Sequence, residues 1–212
     1  NISDRSIKWI NNFSKIKKGP IIFFGNEFFD AIPIKQFKKI NNSIFEKNYT
    51  YDKNFNIKEI FKKASPADVK IIKSYKTFKN LKFIEFPKLG LQELEKITKK
   101  ISKLKGCILM IDYGYISPNN QNTLQSVMKH KKNKLLNNLG RADITAHVNF
   151  KLLTEFFSNR GLEIKNVSTQ RNFLENIGIN KRAEIIAKKM KFREQSDLFL
   201  RIKRLLDPNF MG

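Results

Sequence analysis

Asn26, Glu27 and Asp30 fall within five residues, directly after the apolar run Ile21-Ile22-Phe23-Phe24 and a glycine, Gly25. An amide and two carboxylates delivered together can bind a metal, hold a ribose or amino group, or grip a guanidinium through paired charge-assisted hydrogen bonds. The plain alternative is that Asp30 caps a helical turn while Glu27 faces solvent, and spacing alone leaves both open. A second cluster repeats the layout: the apolar run 107–111 ends in Asp112-Tyr113-Gly114-Tyr115. Asp112 there can do acid–base work, with Gly114 letting a ligand near the backbone, or the segment is simply an Asp-Tyr-Gly turn. His147 follows Asp143 closely, which allows a His–carboxylate pair acting as a general base or a loop histidine satisfied by backbone. His130 sits among lysines and reads as solvated surface.

These groups need elements to hold them. Residues 19–34 open on the turn pair Gly19-Pro20 and close on Pro33. A short apolar run bounded by turn signals predicts a strand buried on both faces, as in a parallel sheet. Its polar residues then lie at the strand's carboxyl end, the edge where open α/β sheets bind ligands. Residues 34–61 are β-rich and polar, with turn signals at Asn41-Asn42 and 52–54, and predict a meander inserted in the fold. Ser65 as N-cap and Pro66 at the first helical position start a helix that runs to about Phe78. The stretch 83–86 is apolar and of undecided type.

Leu91, Leu94, Ile97, Ile101 and Leu104 recur at helical spacing, and Gly106 ends that helix. The run 107–111 is a second strand, and repetition of strand then polar loop favours an α/β sheet. Residues 116–148 lose periodicity and read as a long loop region. Asn149 caps a helix with Phe150, Leu153, Phe156 and Phe157 inward, and Gly161 ends it. A third strand is expected over 162–167, a short helical segment over 173–177, and C-terminal helices over 180–212 that stop at Asp207-Pro208.

With 212 residues, one domain is the natural expectation. The formal net charge of +23 suits a nucleic-acid or acidic-membrane partner. Scattered Lys together with abundant Asn, Ile and Phe fits the codon bias of an AT-rich genome instead. A nucleic-acid partner is disfavoured, because base stacking needs exposed aromatics and a Phe-rich, Tyr-poor composition suits a core. Cys107 is the single cysteine, so no disulfide framework or Cys-based metal site is expected, and a reducing compartment fits. No apolar run approaches the roughly 20 residues of a membrane helix, so no membrane insertion is expected. There is no G-x-G-x-x-G after a strand, no Walker loop and no HExxH. The chain therefore has an active-site edge without a visible cofactor cradle, and no metal site is read.

Taken together, the motifs resemble the MidA-like family of class I S-adenosyl-L-methionine-dependent methyltransferases, whose mitochondrial members are complex I assembly factors that methylate a protein arginine. The resemblance rests on Asn26-Glu27-Phe28-Phe29-Asp30-Ala31-Ile32-Pro33, Ile111-Asp112-Tyr113-Gly114-Tyr115, Thr123-Leu124-Gln125 and the stretch 142–150. Thr169-Gln170, Phe173-Leu174, Leu206-Asp207-Pro208 and Met211-Gly212 extend it. Arg171 departs from the family's usual Gly and Asn149 from its usual Asp.

The resemblance implies an α/β fold: the C-terminal part of a Rossmann-like class I methyltransferase sheet, with an inserted β-meander and added helices. It implies S-adenosyl-L-methionine as cofactor and a protein substrate, a respiratory complex I subunit in mitochondrial members. The location would be the cytoplasm in a bacterium or the mitochondrial matrix in a eukaryote. The family's glycine-rich loop lies upstream of Asn26 and its last strand follows Met211-Gly212. A single partial domain, truncated at both ends and inactive alone, is thus expected.

In that frame Asn26, Phe28 and Phe29 face the cofactor, the rings through cation–π contact with the sulfonium. Glu27 and Asp30 orient a guanidinium, while Asp112 and His147 remove a proton or close the pocket. The alternatives are a non-catalytic assembly protein on the same scaffold and a basic nucleic-acid binder. Oligomeric state stays open.

Overall fold

In the computed structural model, which describes residues 7–211, the first strands are β1 (Ile21–Asn26), β2 (Lys35–Ile40), β3 (Ser43–Tyr51) and β4 (Ile57–Lys63). There follow α1 (Pro66–Ser74), β5 (Phe83–Phe86), α2 (Lys88–Leu104), β6 (Gly106–Ile111) and β7 (Gly114–Tyr115). Next come β8 (Gln125–Met128), β9 (Lys131–Asn133), β10 (Asp143–Thr145), β11 (Val148–Asn149) and α3 (Phe150–Ser158). The last helices are α4 (Gln170–Asn176), α5 (Ile179–Ala187) and α6 (Phe192–Leu206). Where one partial domain is expected, the chain divides into two compact units, Asn1–Glu163 and Ile164–Gly212.

In the first unit β1 and β6 pair in parallel, as their apolar runs predict, with Ile21 opposite Gly106 and Asn26 opposite Ile111. Burial on both faces is not observed. Ile22 is 75% and Phe24 58% exposed, while Ile21, Phe23, Ile108 and Met110 pack against the core. Successive strand residues face opposite sides, and α2 contacts both strands, so among the described residues only one face of this two-stranded sheet is covered. Gly106, expected to end the helix, instead opens β6. A Cβ there would sit 1.7 Å from the carbonyl oxygen of Ile21, and its φ of +137° lies where side chains are strained.

The inserted meander is present, and it gains a member. β5 settles the undecided stretch by pairing antiparallel to β2, giving the sheet order β4-β3-β2-β5. The core is built from Phe37, Ile44, Ile84 and Phe86 of that sheet with Ile72, Phe78, Leu94, Leu152 and Phe156 of the helical layer. Ser65 caps α1 as expected, its Oγ accepting the Asp68 N–H at 3.1 Å. The helix stops at Ser74 rather than near 78, because Tyr75 turns to extended backbone and a short 3-10 turn, Lys76–Phe78, follows. Glu155 of α3 fastens that turn by accepting the N–H groups of Lys76 and Thr77 at 2.6 and 2.8 Å. The aromatics are not all core: Phe55, Phe192 and Phe210 lie in solvent.

Residues 116–148 hold more order than a long loop. β10, β8 and β9 form a small antiparallel sheet, with strands of three or four mostly polar residues too short to show a period. The strand expected over 162–167 does not form. A strand persists where a neighbour satisfies its N–H and C=O groups, and among the described residues none pairs with this segment.

The second unit contains α4, α5 and α6, with Thr169 capping α4 and Ala183, Ala187 and Ile202 buried. Gln170 donates to the Leu205 carbonyl at 3.0 Å, tying the start of α4 to the end of α6. No described helix is long and apolar enough to cross a membrane.

Candidate active site

The β1–β6 register ends both strands together, so the polar loops after Asn26 and Ile111 leave from one edge. The Glu27 N–H donates to the Ile111 carbonyl at 2.9 Å, and Glu27 takes a left-handed φ of 45° that turns the chain. The next three amides converge on Asp112. Its Oδ2 accepts from Phe28, Phe29 and Asp30 at 3.2, 2.9 and 3.3 Å, and its Oδ1 from the Tyr113 N–H at 3.0 Å. Burial and the nearby Asp30 charge push the Asp112 carboxyl up against the pull of those amides. With four backbone donors on it, Asp112 clasps the Asn26–Asp30 loop, a structural role beside the two expected for it, removing a proton or closing the pocket.

Asp30 is 4% exposed. Its Oδ2 accepts a close hydrogen bond from the Tyr113 hydroxyl, and its carbonyl accepts the Ala146 N–H at 2.9 Å. Its Oδ1 is buried with no hydrogen-bond partner among the described residues. Buried carboxylate oxygens are normally paired, because desolvation without a partner is costly. The side chain lines a cavity of about 330 Å³ whose other walls are Ala31, Ile32, Pro33, Ile34, Leu124, Ile144, Thr145 and Ala146. Burial first, then the bonded Asp30 carboxylate, raises the Tyr113 phenol well above its ordinary pKa, so it remains a donor.

The other expected site residues separate. Asn26, Glu27 and Phe28 are exposed at the strand edge, Phe28 by 54%. Phe29 is 8% exposed within the core cluster and meets Phe28 edge to face at 5.3 Å, so its ring is not available to a ligand. The Glu27 carboxylate makes no hydrogen bond or ion pair among the described residues. His147 is exposed and stands edge-on to the Tyr113 ring at 6.1 Å. Of the two readings open for His147, the pair with Asp143 does not form among the described residues; Asp143 lies in β10, and the His147 backbone N–H donates to the Thr123 hydroxyl at 3.0 Å. Gly114 serves the chain rather than a ligand. A Cβ there would lie 2.0 Å from the Val148 carbonyl oxygen, so glycine is what lets β7 and β11 meet.

Two contributors have no role in the sequence reading. One is Tyr113. The other is Glu85, buried in β5, which accepts from Gln36 Nε2 at 2.8 Å, from the backbone of Thr123 and Leu124 at 3.1 and 3.2 Å, and from the Thr123 hydroxyl. It fixes the Leu124 wall of the cavity, and with burial its charge pushes Tyr115 up to about 12. A lone carboxylate inside the apolar stretch Phe83-Ile84-Glu85-Phe86 is the signal that could have marked it.

The family described as "Putative S-adenosyl-L-methionine-dependent methyltransferase" matches residues 1–168. The chain belongs to that methyltransferase family. It is similar to the Caenorhabditis elegans protein named Protein arginine methyltransferase NDUFAF7 homolog, mitochondrial, with 28% identity over 203 residues that cover 95% of this chain and 47% of the relative. The Danio rerio Protein arginine methyltransferase NDUFAF7, mitochondrial, is 25% identical over 216 residues, covering 97% and 48%. The chain spans about half the length of the curated relatives it matches.

Among solved structures, a Burkholderia thailandensis protein bound to S-adenosyl-homocysteine has a TM-score of 0.76 at 18% identity, covering 97% of this chain and 54% of that one. A second structure from that organism has a TM-score of 0.78 at 18% identity, covering 97% and 55%. The likeness establishes the expected α/β architecture of class I methyltransferase type.

Proposed function

We propose that this protein is an S-adenosyl-L-methionine-dependent methyltransferase acting on a protein arginine, with the carboxyl edge of β1 and β6 as its active-site wall. The observation that carries the reading is the buried Oδ1 of Asp30, an acceptor without a partner among the described residues, in a residue that lines a mostly apolar cavity. Family membership and the names of the relatives support the reaction class.

When bound, the cofactor supplies a sulfonium methyl to a nitrogen lone pair, with sulfur keeping the bonding electrons. Asn26 and the exposed Phe28 ring are the residues here that would hold it, the ring through cation–π contact; Phe29 is core. Asp30 accepts an N–H of the guanidinium and holds the charge there. Arginine keeps its proton in water up to a pKa above about 12, so the site must both orient the nitrogen and take charge from it. Orientation alone can contribute roughly 7–11 kcal/mol to such a step. Glu27, exposed beside the cavity loop, supplies a second acceptor, and His147 receives the proton the nitrogen sheds. A respiratory complex I subunit is the finer substrate proposal, in the mitochondrial matrix of a eukaryote or with a bacterial counterpart in the cytoplasm.

The test is transfer of labelled methyl to an arginine-containing protein substrate. Asp30→Asn is expected to lower kcat/KM at least about 100-fold, the scale of losing a transition-state contact. Wild-type transfer by that variant would overturn the reading.

A further inference from the structure

We infer that Tyr113 is a positioning residue for the substrate: its phenol occupies Oδ2 of Asp30, leaving Oδ1 as the one acceptor of that carboxylate, so Asp30 itself takes a cation through a single N–H. This rests on the methyltransferase reading of the cavity. A carboxylate has two oxygens and can meet a guanidinium as a fork on a fork. Here Oδ2 is already bonded to the Tyr113 hydroxyl and Oδ1 has no partner among the described residues.

Tyr113 is itself fixed from several sides. Its backbone N–H is bonded to Asp112 Oδ1, its carbonyl accepts the Val148 N–H at 3.0 Å, and its ring stands against His147. The Asp112 clasp and the Ala146 amide hold the Asp30 backbone in turn. With the backbone held and Oδ2 on the Tyr113 hydroxyl, Oδ1 is the oxygen of Asp30 without a partner among the described residues. The rest of the lining is mostly aliphatic, from Ala31, Ile32, Pro33, Leu124 and Ile144, and suits an alkyl stem. A guanidinium pinned at one nitrogen keeps its other terminal nitrogen free of the carboxylate, and that nitrogen is the one left to react. The paired grip that the resemblance implies for Glu27 and Asp30 then draws one oxygen from Asp30 rather than two.

The experiment combines spectroscopy and kinetics on the full chain. Tyrosine labelled with carbon-13 at Cζ gives a resonance for each phenol; that of Tyr113 is assigned by its loss in Tyr113→Phe or, if that variant does not fold, by its change in Asp30→Asn. Titration with N-acetyl-arginine amide should move the Tyr113 resonance in the wild type and leave it unmoved in Asp30→Asn. In methyl-transfer assays, Tyr113→Phe should lower kcat about tenfold with KM within about twofold, the pattern of lost orientation rather than lost binding.

An unmoved Tyr113 resonance, or a Tyr113→Phe enzyme with unchanged kcat, would overturn the inference. The two readings fail separately. Methyl transfer with a silent Tyr113 would refute the positioning role and leave the methyltransferase intact. A responsive Tyr113 in a protein that transfers no methyl would support the recognition geometry and refute the reaction.

Discussion

Asp68 and Asp30 are both buried, 1% and 4% exposed, and the fold treats them in opposite ways. Asp68 sits in the first turn of α1 with each oxygen on a lysine: Oδ1 to Lys88 at 2.7 Å and Oδ2 to Lys35 at 3.0 Å. Burial pushes its carboxyl up, but Lys88, Lys35 and Ser65 outweigh that and hold it down to about 2. Asp30 has one oxygen on a phenol and the other without a partner among the described residues. A buried carboxylate whose every oxygen is paired within the chain is part of the fold's own electrostatics. One left half-paired among the described residues, beside a cavity, is the carboxylate we propose meets a ligand.

That contrast can be broken in order of expected size. Removing Asp68 takes the carboxylate from Lys88 and leaves Lys35 with Glu46 alone, so Asp68→Ala should cost roughly 2–3 kcal/mol in urea unfolding with transfer per folded molecule unchanged. A loss under about 1 kcal/mol would place Asp68 among ordinary surface ion pairs.

The pH dependence sharpens the same point. The folded carboxyl of Asp68 lies below its unfolded value of about 3.9, so its contribution is fully present above that value. It is lost as pH falls through about 2. The amount is on the order of 2–3 kcal/mol, and comparing acid unfolding of wild type with Asp68→Asn should show it as a difference confined to that window. Asp112→Ala releases the three loop amides and should cost about 1–3 kcal/mol. It should also lower methyl transfer, because the loop that holds Asp30 loosens; stability loss with unchanged transfer would separate the clasp from the site.

How legible all this is from the sequence follows the range of the interactions. Ser65 and Asn149 cap helices whose first amides lie three residues on, so local pattern suffices. The apolar runs ending in Asn26 and Asp112 are equally plain, and their shared edge follows from parallel pairing. Tyr113 and Asp30, by contrast, are 83 positions apart, and Glu85 reaches Thr123 over 38; no local pattern reports such pairs. Phe28 and Phe29 are alike in type, and which ring is core depends on the turn that Glu27 makes. The outer face of β1 reads as buried because Ile22 and Phe24 are apolar, yet burial depends on what covers a face rather than on the strand. The segment 162–167 fails as a strand for the same reason.

The most direct test of the account measures stability and methyl transfer together in Asp30→Asn. Replacing a carboxyl whose Oδ1 has no partner among the described residues should change unfolding free energy by no more than about 1 kcal/mol, while transfer to arginine falls at least about 100-fold. A variant that unfolds like Asp68→Ala but still transfers methyl would make Asp30 a structural carboxylate and contradict the central claim.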